Sequence, residues 1–371
     1  MKIKRILKWT GCVALAALLL AFLAGFVAYW RSTNECDRNA NPTNPMKAIR
    51  YCEYGSPEVV RFDDVEKPVP TDNQVLIKVR AASLNALDVY LIRDSWLGRL
   101  FFGLRKPRNT RLGRDVAGQV EAVGKNVTQF KPGDEVFGIC GGSLAEYACA
   151  SERGLAMKPT NISFEQAASL PLAGLTALQG LREGKIQSGQ RVLINGATGG
   201  VGTFAVQIAK SLGAEVTAVC STRNVDLVRS IGADHVIDYT KEDFTKSDQR
   251  YDVIFDNVAN HSFSERRRVL TAKGICVLAG MGGAGVKQGE AMGRIVGNLF
   301  IARGLSSFTD QKFAQYMTKV SKDDLVMLGD LTEAGKLKPV IERTYKLHET
   351  PEAFRQLDAG HARGKVVITV E

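Results

Sequence analysis

Residues 191–210 read Arg191-Val-Leu-Ile-Asn-Gly-Ala-Thr-Gly-Gly-Val-Gly-Thr-Phe-Ala-Val-Gln-Ile-Ala-Lys210. A short apolar strand pattern passes through a glycine-rich turn directly into an amphipathic helix pattern. Ala197, Gly199 and Gly202 stand in A-x-G-x-x-G spacing. A small first residue permits the tight bend, the next glycine lets the backbone approach a pyrophosphate, and the last lets the helix pack on the strand. The pattern predicts a dinucleotide-binding turn, with the pyrophosphate at the positive end of the helix.

Strand and helix patterns keep alternating after this turn. Strands are predicted at residues 215–220, 235–239, 251–258 and 274–280, and helices at 224–231 and 262–270. Such alternation is typical of an α/β protein in which helices cover both faces of a parallel sheet. The sequence therefore predicts a doubly wound parallel sheet of the Rossmann type.

The residues after the second strand of this sheet bear on the choice of cofactor. An Asp or Glu there would bind the 2′-hydroxyl of NAD, whereas this chain has Cys220-Ser-Thr-Arg223. Hydroxyl groups followed by a cation suit a 2′-phosphate, so the sequence predicts NADPH, with Ser221 and Arg223 at the phosphate. A solvated surface arginine is the alternative interpretation of Arg223.

From about Met46 to its C-terminus the chain resembles the medium-chain dehydrogenase/reductase superfamily, in its zinc-independent quinone oxidoreductase branch. The motifs that carry the resemblance, besides the glycine turn, are Ala81-Ala-Ser-Leu-Asn-Ala-Leu-Asp88, Gly113-Arg-Asp-Val-Ala-Gly-Gln-Val-Glu-Ala-Val-Gly124, Lys131-Pro-Gly-Asp-Glu-Val-Phe-Gly138 and Gly364-Lys-Val-Val-Ile-Thr369. The resemblance implies a GroES-like, partly open β-barrel catalytic domain over residues 46–164 and 305–371. A Rossmann NADP-binding domain over residues 165–304 interrupts it, the active site lies in the cleft between the two, and a homodimer is possible.

Ligands of open α/β sheets bind at the carboxyl ends of the strands. The nicotinamide half of the cofactor is expected beside the residues that follow the fourth and fifth strands and beside one residue before the glycine turn. The complete set of predicted cofactor-binding residues is Thr176, Ala197, Thr198, Gly199, Gly200, Val201, Gly202, Ser221, Arg223, Tyr239, Asn257, Val258, Gly280 and Met281.

No metal is predicted. Zinc-dependent members of the superfamily use a Cys, a His-Glu pair and a further Cys, but this chain has Asn85 at the first position and Arg114-Asp115 at the pair. An Arg stays protonated and has no lone pair for a metal. The seven cysteines include no C-x-x-C, so the structural zinc lobe is missing as well.

Without a Lewis acid, the acceptor oxygen has to be polarised by hydrogen bonds while the nicotinamide is held in place. The resemblance therefore implies hydride transfer from NADPH to a quinone or to the activated double bond of an enone or alkenal. Asn85 and Tyr90 are the candidate catalytic residues; a capping Asn and a packed Tyr are the alternatives. Asp88 and Arg93 are expected to pair with each other. A different class of function, an NADPH-binding redox sensor or scaffold, also stays open.

The N-terminus predicts a membrane anchor. A basic flank, residues 1–8, precedes 22 uncharged residues from Trp9 to Trp30, which as a helix would span about 33 Å. This run is longer than the h-region of a secretory signal, and no small-x-small cleavage site follows it. Residues 31–45 read as a polar linker. Cations flank the apolar run on both sides, so charge leaves the topology open, and the cofactor favours a catalytic domain on the cytoplasmic side.

Composition agrees with a globular enzyme on a tether. With 371 residues, 45% of them hydrophobic, the chain is long enough for two cored domains. The formal net charge is +10, but the basic residues are spread along the chain and form no recognised nucleic-acid-binding motif. The composition therefore does not predict nucleic-acid binding. The densest basic stretch, residues 93–114, is interpreted either as a surface that rests on anionic lipid or as a solvated loop at the mouth of the cleft.

Overall fold

The computed structural model describes residue 20, residues 23–27, residue 36, and residues 41–279, 310–360 and 363–371. The strands are β1 (Pro45–Tyr51), β2 (Val60–Glu66), β3 (Gln74–Leu84), β4 (Asp115–Val123), β5 (Glu135–Ile139), β6 (Tyr147–Ser151), β7 (Leu155–Met157), β8 (Arg191–Asn195), β9 (Glu215–Cys220), β10 (His235–Asp238), β11 (Tyr251–Asp256), β12 (Leu270–Leu278), β13 (Lys312–Gln315), β14 (Ile341–Lys346) and β15 (Lys365–Thr369). The α-helices are α1 (Ala86–Ile92), α2 (Trp96–Phe102), α3 (Phe164–Ser169), α4 (Pro171–Glu183), α5 (Gly200–Ser211), α6 (Val225–Ser230), α7 (Phe263–Arg268), α8 (Lys322–Glu333) and α9 (Thr350–Ala359).

A mostly antiparallel sheet of seven strands forms the first unit. Its strand order is β14-β15-β3-β4-β5-β7, and β6 pairs with the other half of β3. Strand β15 lies antiparallel to β3, so segments that precede and follow the second unit in the sequence build one sheet. Completely buried apolar side chains such as Ile77, Val116 and Phe354 fill its core. Burial of large apolar side chains stabilises a domain by about 1.5–3 kcal/mol each, so this core is the main support of the unit.

The second unit is the predicted parallel sheet. Its order is β10-β9-β8-β11-β12-β13, and every neighbouring pair is parallel. This is the doubly wound order in which the sequence of strands reverses beside the first strand, at the place where such sheets bind ligands. The Rossmann prediction is confirmed. Its sixth strand, Lys312–Gln315, follows residue 304, so the sheet takes a strand from the segment that the sequence assigned to the catalytic domain.

The glycine turn connects β8 to α5 as predicted, because apolar periodicity changes from strand to helix at this point. Val192, Leu193 and Ile194 are completely buried in β8, and the buried face of α5 includes Phe204 and Ile208. Helix and strand therefore both pack into the same core, which fixes the position of the turn between them.

A disulfide joins Cys36 to Cys52. It ties the predicted linker to the residue that directly follows β1. Cysteine spacing alone does not reveal which thiols meet, and the sequence did not predict this pair.

Among the residues described above, no helix is both long and apolar enough to cross a membrane. Most of the predicted anchor, residues 9–30, lies outside those residues.

Candidate active site

The glycine turn offers a backbone cradle. Gly196 has φ +80°, a left-handed conformation that favours glycine, so the tight bend lies one residue before the predicted Ala197. A Cβ on Gly202 would lie 2.0 Å from the Gly196 carbonyl oxygen, which explains why the helix approaches the turn so closely. No side chain caps the start of α5 at Gly199. No side chain therefore competes with a pyrophosphate for the first N–H groups of the helix, and the residues present fit a dinucleotide.

The same turn is fastened to the C-terminal strand. The Gly364 N–H donates a 2.8 Å hydrogen bond to the Thr198 carbonyl oxygen. A Cβ on Gly200 would lie 2.8 Å from Cδ of Lys365, so the lysine side chain runs directly beside the turn. The turn of the second unit and the start of β15 in the first unit thereby meet at one point.

Lys365 ends in a buried polar cluster. Its ammonium group donates to Asn85 Oδ1 at 2.6 Å, to the Leu84 carbonyl oxygen at 3.0 Å and to Asp115 Oδ2 at 3.1 Å. The side chains of Lys365 and Asp115 are 3% and 0% exposed, so the ion pair is buried. Sequence reasoning placed Lys365 inside a motif but gave it no role.

Asp115 is the other centre of this cluster. Its Oδ2 also accepts from Ser83 Oγ at 2.7 Å and from Asn85 Nδ2 at 2.9 Å, and its Oδ1 accepts from the Leu172 N–H, at the start of α4, at 2.8 Å. A buried carboxylate needs such a set of donors, because an unpaired charge in the interior is costly. The carboxylate thereby holds Asn85 and α4 together.

Asn85 lies both at the start of α1 and in the buried cluster. It precedes α1, and its backbone N–H donates to Asp88 Oδ2 at 2.8 Å. Its side-chain amide is at the same time fixed by Asp115 on the nitrogen and by Lys365 on the oxygen. The orientation of this amide is therefore set by two charged partners rather than by the turn alone.

The predicted pair of Asp88 with Arg93 is wrong. Asp88 is completely buried and accepts from the N–H groups of Asn85 and Gly113, whereas Arg93 reaches the opposite way and pairs with Asp358. The N-terminal position of Asp88 in α1 turns its carboxylate back to the start of the helix, away from Arg93. Burial raises the pKa of Asp88 from 3.8 to about 6, because the charged form is desolvated.

Tyr90 lies beside Arg93, with the guanidinium carbon 5.9 Å from the centre of the ring. The side chain is half-buried, and burial raises the pKa of its phenol. This position fits the packing alternative that the sequence allowed as well as a hydrogen-bonding role.

The predicted adenosine end lies at the carboxyl edge of β9 and β10. Ser221 directly follows β9, Arg223 and Tyr239 are exposed, and Tyr239 N–H donates to the Cys220 carbonyl oxygen at 2.9 Å. The sequence missed Asp238, which ends β10 opposite Cys220. A hydrogen bond from the Thr222 hydroxyl lowers the pKa of Asp238 to about 2, so this edge holds a carboxylate next to the predicted phosphate site.

The predicted nicotinamide end lies where β8 and β11 stop. Asn257 N–H donates to the Asn195 carbonyl oxygen at 3.1 Å, and Val258 follows at the same edge. Thr176, on α4, donates its hydroxyl to the Leu172 carbonyl oxygen at 2.7 Å and contacts the Thr318 hydroxyl at 2.9 Å. Gly280 and Met281 lie outside the described residues.

Comparison with known proteins decides the family. A model of the alcohol dehydrogenase GroES-like domain matches residues 71–160, and a model described as zinc-binding dehydrogenase matches residues 231–368. The Mus musculus protein "NAD(P)H oxidoreductase RTN4IP1, mitochondrial" is 37% identical over 356 residues, 88% of this chain and 89% of the relative. The chain belongs to the medium-chain dehydrogenase/reductase superfamily.

Other relatives place it in the branch of that superfamily that contains quinone and alkenal/one oxidoreductases. The 2-methylene-furan-3-one reductase of Solanum lycopersicum is 36% identical over 341 residues, 87% of this chain and 79% of the relative. The solved structure of the quinone oxidoreductase from Coxiella burnetii superposes with a TM-score of 0.75 at 32% identity, covering 88% of this chain and all of that one. The fold is accordingly a GroES-like domain combined with a six-stranded Rossmann sheet.

The chain departs from the zinc-dependent members of this superfamily at the cluster itself. Asn85 and Asp115, which stand at positions of the zinc-dependent motif, both bond the Lys365 ammonium group. Within residues 41–279, 310–360 and 363–371, no three His, Cys, Asp or Glu side chains are grouped so that they could hold a metal. The prediction of a metal-independent enzyme rests on the identity of these side chains.

Proposed function

We propose that this chain is an oxidoreductase that transfers hydride from NADPH to a quinone or to the activated double bond of an enone or alkenal. The observation that carries the proposal is the meeting of the uncapped glycine turn with the cluster of Asn85, Asp115 and Lys365. The names of the relatives, which include a quinone oxidoreductase and an NADPH-dependent alkenal/one oxidoreductase, support the same acceptors.

The bound cofactor would supply the hydride, and the chain's own residues would provide position and polarity. The N–H groups at the start of α5 would hold the pyrophosphate, and Asn257 and Val258 would lie beside the nicotinamide. Asp115 takes one hydrogen of the Asn85 amide nitrogen, which leaves the second for an acceptor oxygen. Because Lys365 and Asp115 hold this amide from both sides, the donor would need no reorganisation when charge develops on that oxygen.

The proposal also includes a preference for NADPH over NADH. Arg223 and Tyr239, both exposed at the edge where the adenosine ribose would lie, would contact the 2′-phosphate. The carboxylate of Asp238 lies close by, but hydroxyl groups of Thr222 and Thr240 already bond it. The arginine therefore supplies the charge that distinguishes the two cofactors.

The test is oxidation of NADPH and NADH by the full-length chain, with a short-chain quinone and an α,β-unsaturated aldehyde offered separately. We expect turnover that prefers NADPH, and Arg223→Gln should raise KM for NADPH about tenfold or more while KM for NADH stays unchanged. Arg229→Gln, an exposed arginine one helix later, is the matched control. Saturable binding of NADPH without turnover of any acceptor would instead favour the sensor or scaffold.

The membrane anchor at residues 9–30 remains part of the proposal on the strength of its sequence alone. Alkaline carbonate extraction of membranes that carry the full-length chain tests it. A chain that is released into the supernatant contradicts the anchor and leaves the proposed chemistry untouched.

A further inference from the structure

A second concave feature lies next to the cluster and has no role in the chemistry described so far. It is a cavity of about 210 Å³ between the end of β1, α1 and the segment that leads into β4. Asp88 lines it, and the carboxylate of Asp88 accepts from the backbone N–H of Asn85, so the cavity reaches the start of α1 where Asn85 lies. Pockets for whole ligands of drug size usually measure about 300–1,000 Å³, so this one suits part of an acceptor rather than all of it.

Three arginines line this cavity, Arg108, Arg111 and Arg114. Arg111 donates to the Glu66 carbonyl oxygen at 3.2 Å. For the side chains of Arg108 and Arg114, by contrast, the described part of the chain provides no hydrogen-bond or ion-pair partner; Arg108 is exposed and Arg114 is half-buried. Partial removal of the Arg114 guanidinium from water without an anion costs free energy, and a carboxylate or phosphate would offset that cost through charge-assisted hydrogen bonds.

The remaining walls indicate what else the ligand carries. The Tyr51 ring is almost completely buried, and within the described residues its hydroxyl finds no partner, which leaves a donor for a ligand oxygen. Leu91 and Phe102 form an apolar wall of the same cavity. The lining also contains the Asp88 carboxylate, which already accepts hydrogen bonds from the N–H groups of Asn85 and Gly113. Three arginines outnumber this one carboxylate, so the combination of cations, a phenol and apolar carbon fits an apolar molecule with one anionic group.

We propose that this cavity binds a carboxylate or phosphate group of the acceptor, so that the chain reduces anionic enones or quinones in preference to neutral ones. The inference rests on the proposed function, and it narrows the acceptor class for the same site. The anionic group lies against Arg108 and Arg114, and the conjugated carbonyl of the same molecule extends toward Asn85.

The experiment compares two acceptors whose charge lies away from the reacting double bond, 4-(3-oxobut-1-enyl)benzoate and its methyl ester, with NADPH and the full-length chain. We expect kcat/KM for the acid to exceed that for the ester about tenfold or more at low salt, and added KCl to reduce the difference. Arg108→Gln and Arg114→Gln should each remove most of this preference while kcat/KM for the ester stays within about twofold. Arg105→Gln, in the same segment but outside the cavity, should leave the ratio unchanged.

The outcomes separate the cavity from the chemistry. Equal kcat/KM for acid and ester, or a preference that survives both substitutions, overturns the anionic-acceptor inference and leaves the oxidoreductase intact. If neither acceptor is consumed, the proposed function fails, and calorimetric binding of the acid and the ester in the presence of NADP+ still decides the inference. Tight binding to phosphatidylserine vesicles that requires Arg108 and Arg114, without an acid preference, overturns it in favour of a lipid headgroup.

Discussion

Removal of the Lys365 charge tests whether the buried cluster supports the fold as the geometry suggests. Lys365→Met keeps most of the side-chain volume but deletes three hydrogen bonds, at 2.6, 3.0 and 3.1 Å. Asp115, 0% exposed, then loses the cation of its ion pair. Breaking a buried ion pair on one side typically costs about 3–5 kcal/mol, and we expect a loss of that size in the free energy of unfolding.

Urea unfolding of the full-length chain measures this loss as a lower midpoint at an unchanged m-value. The double variant Lys365→Met with Asp115→Asn removes both charges. Its loss of unfolding free energy should therefore be smaller than the sum of the losses of the two single variants, by about 2 kcal/mol or more. Lys346→Met is the control, since its ion pair with Glu371 is exposed and surface pairs contribute about 0–1 kcal/mol. A loss below about 1 kcal/mol for Lys365→Met, or strictly additive losses in the double variant, would refute the reasoning.

Three further changes have definite expected outcomes. Gly202→Ala should lower Tm, because its Cβ would lie 2.0 Å from a carbonyl oxygen, whereas Gly199→Ala, with nothing nearer than 3.8 Å, should weaken NADPH binding in a fluorescence titration at unchanged Tm. Burial raises the pKa of Asp88 from 3.8 to about 6, so between these pH values the folded state keeps a proton that the unfolded state has released, and the free energy of unfolding falls as pH rises. This fall amounts to about 3 kcal/mol. Asp88→Asn should abolish it, as measured by urea unfolding between about pH 4 and pH 7. Cys52→Ser should lower the unfolding free energy by about 3 kcal/mol, and a reductant should destabilise the native chain but not this variant.

The parts of the fold that could be predicted from the sequence are those in which neighbouring residues carry the signal. The change from strand to helix periodicity at the glycine turn is such a signal, and the predicted strand 215–220 has the same bounds as β9. The turn itself was located correctly, but its positive φ belongs to Gly196, one residue earlier than the motif suggests.

The parts that could not be predicted depend on contacts between distant residues. Lys365 meets Asn85 across 280 positions and Asp115 across 250, so no local pattern gives the lysine a role. The same limit applies to Asp88, whose expected partner Arg93 was chosen by nearness in sequence. Asp88 instead accepts from the backbone N–H of Gly113, which comes next to Asp88 only when the sheet has formed.

The arrangement around Lys365 connects the two halves of the proposed site through one side chain. Its methylene chain lies against Gly200 in the turn that would hold the pyrophosphate, and its ammonium group holds the amide that would polarise the acceptor. A buried side chain that is held at both ends fixes the distance between the groups it contacts, because the packed interior allows few alternative arrangements. In the proposed site, this lysine would therefore set the distance between the glycine turn and the Asn85 amide.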